Sequence, residues 1–398
     1  MPIREIERVE WAAFLNAGRG ILELKHPVVL EGCASEWGSS KWTPSFMRDA
    51  YGDVEVEVKL ESVEKRQDGP PLCEGKCEYR MSTMKDFCEW AEPSDAIRGG
   101  EKSAPHALTG FPSGEWFGYI DYKYFPQLFD DGDAAFASVR WQDLGINADP
   151  KESVFWMGTP GAATPLHYDS YGSNVVLQVY GKKEWLLFPP ESSEWLEPSR
   201  IPFEESSIWS QVGVSGATEF ETDPNRKDKD VFRAMLKEGD ILFVPHHWWH
   251  QVQCISTAIS INLWTRHAND NLERLREGLS RMLVMSTHWY RASEEASEEA
   301  LTFGADRTRS TVIRRRCPWL NPNETMWDWS DVLKSINEAV DEIGEEKASN
   351  VAESNTSAGR AVSNGDIDSV RLVRAISHPR VVSVISDVLL QNSRRGGD

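Results

Sequence analysis

Between residues 155 and 264 the chain is built of short apolar runs: "VFWMG", "TPLHYD", "NVVLQVYG", "KEWLLFPP", "GDILFVP", "HQVQCI" and "AISINLW". Each is rich in Val, Ile and aromatic residues and is bounded by Gly, Pro, Asp or Asn, as strands closed by turns are. Closely spaced strands with no helix between them predict a sandwich or barrel. The stretch from Ser192 to Asp230 divides the runs into two groups, and its length and weak periodicity predict a loop crossing the barrel.

Before this region helix and strand patterns mix. Ile3, Ile6, Val9, Trp11 and Phe14 follow the spacing of one helical face, and "PVVLEG" then reads as a strand closed by Gly32. "TPSFMRDAYG" predicts a helix with Thr43 as N-cap and Pro44 at its first position; "DVEVEVKL" behind it alternates as a half-buried strand does. The polar stretch from Glu61 to Glu78 reads as a loop. Beyond Trp264 the period becomes helical. Leu272, Leu275, Leu279, Met282 and Leu283 form one stripe, and Val332, Leu333, Ile336, Val340 and Ile343 a second. Such stripes either pack on the barrel or join two copies of the chain, so a homodimer through these helices is an expectation. The organisation expected is an α/β extension over 1–115, a barrel over 116–268, a helical region over 269–343, a flexible linker over 344–366 and a last helix with tail over 367–398.

Composition narrows the partners. The 398 residues carry a net charge of -20, which repels nucleic-acid backbones and anionic membranes alike, the "RRR" at 314–316 being a local exception. Seventeen Trp residues call for deep packing or a cleft. "CEGKC" at 73–77 lacks the second half of a zinc clip, so the six cysteines are expected as reduced thiols. The first residues hold no apolar signal core, and no run approaches the roughly 18 apolar residues of a membrane span. A cytoplasmic protein is expected, with nuclear presence compatible.

The candidate chemistry begins at His167 and Asp169. Two apart on a strand, they face one way and form two teeth of a metal claw. A third ligand is needed, and "GDILFVPHHWWHQV" offers His246, His247 and His250, among which the strand pattern alone does not choose. Two histidines and one carboxylate leave adjacent metal positions open, which suits ferrous iron in oxygen chemistry rather than a closed structural zinc. A bidentate 2-oxo acid filling two of those positions would carry a distal anion into the barrel, where a buried lysine would find its partner. Lys182 and Lys183, just past Gly181, are placed for that role or for an exposed hairpin.

Taken in order, "TPLHYD", "N...Q..GKK", "LFPP", "GDILFVP" and "WWH" resemble the JmjC branch of the Fe(II) and 2-oxoglutarate dioxygenases, notably the group of the asparaginyl hydroxylase acting on hypoxia-inducible factor. The resemblance runs from about Pro27 to Trp264. "RIPFEESS", "LFVPHHWWH" and "RMLV" extend it to about Val284 and point to a member associated with a small heat-shock protein. It implies a mainly β fold, a double-stranded β-helix (jelly-roll, cupin-like) core with flanking helices and a helical C-terminal extension. It also implies His167, Asp169 and His250 as catalytic iron ligands, with His246 and His247 left beside the site. Lys183 is similar to the lysine that pairs with the distal carboxylate of 2-oxoglutarate, and Thr164 to the hydroxyl assisting it. Asn174 and Asn262 fall where the family places amides near cosubstrate and iron, and Tyr119 in "GYIDYKY" matches a tyrosine near the distal carboxylate. One departure stands out: between Asp169 and Asn174 this chain has one residue more than the asparaginyl hydroxylase type.

The function implied is hydroxylation of a protein side chain, coupled to oxidative decarboxylation of 2-oxoglutarate to succinate. A small heat-shock protein is the partner that the closer resemblance implies. Two alternatives stand beside it, one within enzymes and one from another class. A JmjC hydroxylase modifying a tRNA base is opposed by the acidic balance, and a barrel that holds a stress-response partner without turnover is opposed by the complete set of ligand matches.

Overall fold

The alternating runs become strands, and alternation sorts their side chains onto two sides of a shared sheet. The computed structural model describes residues 3–18, 20–67, 77–92, 106–199, 207–213 and 229–278, together with 334 and 338. In chain order the strands are β1 (Arg4–Glu5), β2 (Arg8–Glu10), β3 (Val28–Glu31), β4 (Glu55–Ser62), β5 (Glu78–Thr83) and β6 (Trp116–Tyr124). Next come β7 (Val154–Gly158), β8 (Ala163–Asp169), β9 (Ser173–Tyr180), β10 (Lys183–Phe188), β11 (Pro198–Ser199) and β12 (Ser207–Ser210). The last are β13 (Phe232–Leu236), β14 (Ile241–Val244), β15 (Trp249–Cys254) and β16 (Ala258–Thr265). One sheet runs β1-β13-β10-β15-β8-β12-β11 and the other β2-β3-β14-β9-β16-β7-β6-β4-β5. The chain thus passes repeatedly from sheet to sheet, giving a mainly β jelly roll of the cupin type.

The space between the sheets is filled from both. Val29, Val176, Leu242 and Val244 of the second sheet meet Trp185, Leu187, Ala234, Leu236 and Val252 of the first. The outer face of the second sheet is buried too. Val175, Leu177, Val179, Ile241, Phe243, Ile259, Ile261 and Leu263 pack there with Trp42, Met47, Phe87 and Trp141. Strands covered on both faces lose polar alternation, which is why β9, β14 and β16 read as nearly continuous apolar runs. The polar residues they retain on the inner face, Asn174, Ser260 and Asn262, therefore stand out.

Thr43 caps the helix Pro44–Tyr51 by accepting from the Phe46 N–H, as its sequence predicts. Elsewhere the structure corrects the reading. Residues 3–14 are not one helix: β1 pairs in parallel with β13, β2 pairs in parallel with β3, and the helix covers only Trp11–Asn16. A spacing of three fits a broken edge strand as well as a helical turn, and sheet pairing decides between them. Glu61 and Ser62 close β4, a helix over Val63–Gln67 follows and Glu78 opens β5; residues 68–76 of the supposed loop lie outside the described residues. Within the supposed crossing loop, β12 pairs antiparallel with β8. Its four residues are too few to show a period.

By its contacts the chain divides into two compact units, and all these strands belong to the one that runs through Asp270. In the other, residues 271–278 are helical. Of the first apolar stripe only Leu272 and Leu275 are described, and Leu272 is exposed. Beyond residue 278 only Lys334 and Glu338 are described, both helical; the second stripe, the linker over 344–366 and the last helix lie outside the described residues. Among the described residues no helix is long and apolar enough to cross a membrane, and Cys33, Cys77, Cys88 and Cys254 are free.

Candidate metal centre

β8 and β15 are antiparallel neighbours, and their register sets His250 directly opposite His167. The register then slips, with Val252 opposite Thr164, so β8 holds one extra residue between its pairs. Pro165, which has no N–H to give to a ladder, sits inside that bulge. The slip restores phase: Thr164 and His167 are an odd number apart, yet both line one cavity together with Asp169.

His167 Nε2 lies 3.7 Å from Asp169 Oδ1 and His250 Nε2 lies 3.8 Å from Asp169 Oδ2. Each histidine donates its other ring N–H to a backbone carbonyl two residues earlier. His167 Nδ1 reaches Pro165 O at 2.8 Å and His250 Nδ1 reaches Trp248 O at 3.0 Å. A carbonyl only accepts, so both Nδ1 atoms carry the proton and both Nε2 lone pairs are left for a cation. Burial first, and the neighbouring His250 second, hold the His167 imidazole down to about 4, which keeps it neutral. Trp209 from β12 lies against His167 at 4.8 Å and Trp185 against His250 at 5.5 Å, so an indole fixes each ring.

The carboxylate is oriented from the other sheet. Trp264 Nε1 donates to Asp169 Oδ2 at 2.8 Å, and Asn174 Nδ2 approaches the same oxygen at 3.4 Å. Asn262 donates to Asn174 Oδ1 at 2.9 Å and accepts from Trp156 Nε1 at 2.7 Å. Both asparagines expected near the site are therefore in one hydrogen-bonded chain leading to Asp169.

Lys183 is 1% exposed, and its Nζ donates to Ser260 Oγ at 2.7 Å and Tyr119 Oη at 3.2 Å. Among the described residues it forms no ion pair with a carboxylate. Burial lowers its ammonium below the usual lysine range. Thr164 hydrogen-bonds Tyr119 in turn. Tyr119 fits because Gly158 faces it on β7, where an added Cβ would come within 2.8 Å of the ring. Lys182 is exposed, which separates the two neighbouring lysines.

All eight residues expected at the site line this one cavity. His246 and His247 do not line it. Sequence reasoning missed Trp156, Trp185, Ser260 and Trp264. Period-two counting would have found three of them: Trp185 follows Lys183 by two, and Ser260 and Trp264 flank Asn262 by two. Trp209 gave no signal, since β12 itself gave none. The donor set suits a ferrous ion: two imidazoles and one carboxylate, with a buried ammonium close by whose partners among the described residues are hydroxyls.

Comparison with known proteins supplies the family. The profile of the family described as "Cupin-like domain" matches residues 15–271. HSPB1-associated protein 1 of Bos taurus is 35% identical over 272 residues, 66% of this chain and 53% of that protein. Its Homo sapiens counterpart is 34% identical over 266 residues, 66% of this chain and 52% of that protein. Lysine-specific demethylase JMJ31 of Arabidopsis thaliana is 28% identical over 258 residues, 60% of this chain and 45% of that protein. The chain thus spans about half the length of these relatives.

Proposed function

The chain belongs to the cupin-like domain family and within it to the JmjC-domain proteins, and from that premise we propose that it is an Fe(II)- and 2-oxoglutarate-dependent dioxygenase hydroxylating a protein side chain. The observation that carries the reading is Lys183, a buried ammonium without an acidic partner among the described residues, lining the same cavity as His167, Asp169 and His250. A buried charge costs several kcal/mol unless it is met by an opposite one. The distal carboxylate of 2-oxoglutarate supplies it.

His167, Asp169 and His250 would hold the iron, which with 2-oxoglutarate and dioxygen supplies the oxidation of an unactivated C–H bond, with succinate and carbon dioxide as coproducts. Lys183 and Ser260 would bind the cosubstrate's far end, with Tyr119 and Thr164 keeping Lys183 aimed. Trp264, Asn174 and Asn262 orient the Asp169 carboxylate. Val176, Trp185 and Val252 keep the cavity wall apolar.

A peptide substrate suits the cavity mouth. Tyr122 is 42% exposed and stands in the left-handed region at φ +51, beside the bulge of β6. Its ring lies 5.4 Å from Trp264 and 5.9 Å from Trp156, both of which line the cavity. This aromatic run leads from the surface to the metal centre and offers an extended segment rings to lie against. The relatives' name supports a small heat-shock protein as partner, and the likeness to lysine-specific demethylases keeps an N-methyl group in view as the oxidised carbon.

The test is turnover. Purified chain reconstituted anaerobically with Fe(II) and then given 2-oxoglutarate and air is expected to form succinate, slowly without a substrate, and His167→Ala to form none. Parent-rate turnover by His167→Ala contradicts the reading. With a protein substrate, an added oxygen in the product marks hydroxylation, whereas released formaldehyde marks demethylation.

A further inference from the structure

Beyond the turn that follows Asp169 stands a second group of ligating side chains. His246, His267 and Asp270 offer ligand atoms that all lie within 4.8 Å of one another. We propose that these three residues form a second cation site, for a borderline divalent metal of the zinc type, separate from the site in the cavity.

The hydrogen bonds assign the donor atoms. His246 Nδ1 lies 3.0 Å from the Gly172 carbonyl oxygen, so Nδ1 carries the proton and Nε2 the lone pair. That Nε2 is buried and has no hydrogen-bond partner. A buried acceptor left without a donor is costly, and a cation satisfies it. The His267 ring lies 4.0 Å from His246 and only 13° from parallel. Its Nδ1 accepts a long 3.2 Å bond from the Asn269 N–H, a contact readily exchanged for a metal. Imidazoles stacked this closely would repel one another if both were charged, and a cation held between them would be shared by their lone pairs instead.

Asp270 supplies the negative charge. Its Oδ1 accepts from the Gly172 N–H at 2.9 Å and its Oδ2 from the His267 N–H at 2.8 Å, and each oxygen keeps a further lone pair. These bonds hold the carboxylate in place as an orienting partner holds a metal ligand. Zinc bonds near 2.0–2.1 Å set tetrahedral ligands roughly 3.4 Å apart, so closing a 4.8 Å spread takes rotation of side chains rather than movement of backbone. Two nitrogens, one oxygen and a fourth position for water describe zinc; calcium and magnesium prefer oxygen alone.

The site has a structural purpose. His246 holds the carbonyl of Gly172 and Asp270 holds its N–H. Gly172 has φ +66, and an added Cβ would come within 2.1 Å of the Thr265 carbonyl oxygen. A cation would therefore clamp the turn between Asp169 and Asn174 to the end of β16.

The experiment uses the full chain with His167→Ala and His250→Ala, which disable the cavity site. After equilibration with micromolar zinc and desalting, bound metal is counted by mass spectrometry. One zinc per chain is expected, and adding His246→Gln or His267→Gln should lower affinity at least about tenfold, the low end of the loss seen even for outer partners of a ligand. No zinc on the double variant, or affinity unchanged by either glutamine, overturns the proposal. The unaltered chain gives a measurement free of folding losses: two zinc per chain by titration is expected, and one per chain overturns it. Cobalt bound to the double variant should give the strong visible bands of a four-coordinate ion, and weak six-coordinate bands or sulfur-to-metal absorption count equally against it.

Discussion

Two groups of two histidines and one aspartate meet the turn over 170–172, and they are built differently. In His167, Asp169 and His250 both rings are locked by backbone carbonyls two residues back, and the donors sit on paired strands of one sheet. The carboxylate there is held by side chains, Trp264 foremost. In His246, His267 and Asp270 the donors come from a turn and from the chain just past β16, and both carboxylate oxygens accept from backbone N–H groups. The first group lines a cavity with a buried lysine. The second is stacked ring on ring. On the two proposals made above, one set of donor types would serve an open face for chemistry when carried by rigid strands, and a clamp when carried by a turn.

Variants that separate the groups sharpen this contrast. The largest effect belongs to His167→Ala and His250→Ala. Each should cost more than the about 10–100-fold typical of outer partners of a metal ligand, seen as succinate formation lost to background. Lys183→Ala comes next. Removing one partner of a buried charge pair costs about 2–5 kcal/mol, so KM for 2-oxoglutarate should rise at least about thirtyfold, checked by initial rates against cosubstrate concentration. Trp264→Phe keeps the ring and deletes the N–H to Asp169; iron affinity should fall about tenfold, measured by metal titration under nitrogen. Lys182→Ala should change neither KM nor melting temperature beyond the about 0.5 kcal/mol of an exposed substitution. Equal losses at Lys182 and Lys183 would break the distinction drawn between them.

Much of the barrel was legible because β9, β14 and β16 are apolar on both faces and end at turn residues. Asn174 and Asn262 on their inner faces were legible by contrast, whereas Ser260 between apolar neighbours was not. What stayed hidden has identifiable causes. The bulge at Pro165 leaves no periodic trace, so residue counting alone would set Thr164 and His167 on opposite faces. β12 is four residues inside a polar stretch, and Trp209 arrives beside His167 only through its pairing with β8. The chain near Ile6 carries a spacing that helix and edge strand share, and only the partner strands resolve it. His246 had its neighbours concealed as well, since His267 and Asp270 join it through folding back at the end of β16.

The most direct test of the central claim is the visible spectrum of the protein loaded with Fe(II) under nitrogen as 2-oxoglutarate is added. A 2-oxo acid chelating ferrous iron develops a charge-transfer band. The account predicts that the band appears in the parent, saturates at one cosubstrate per chain, and is absent from Asp169→Ala. A parent that develops no band, or an Asp169→Ala protein that develops it in full, would contradict the assignment of His167, Asp169 and His250 as an open iron site.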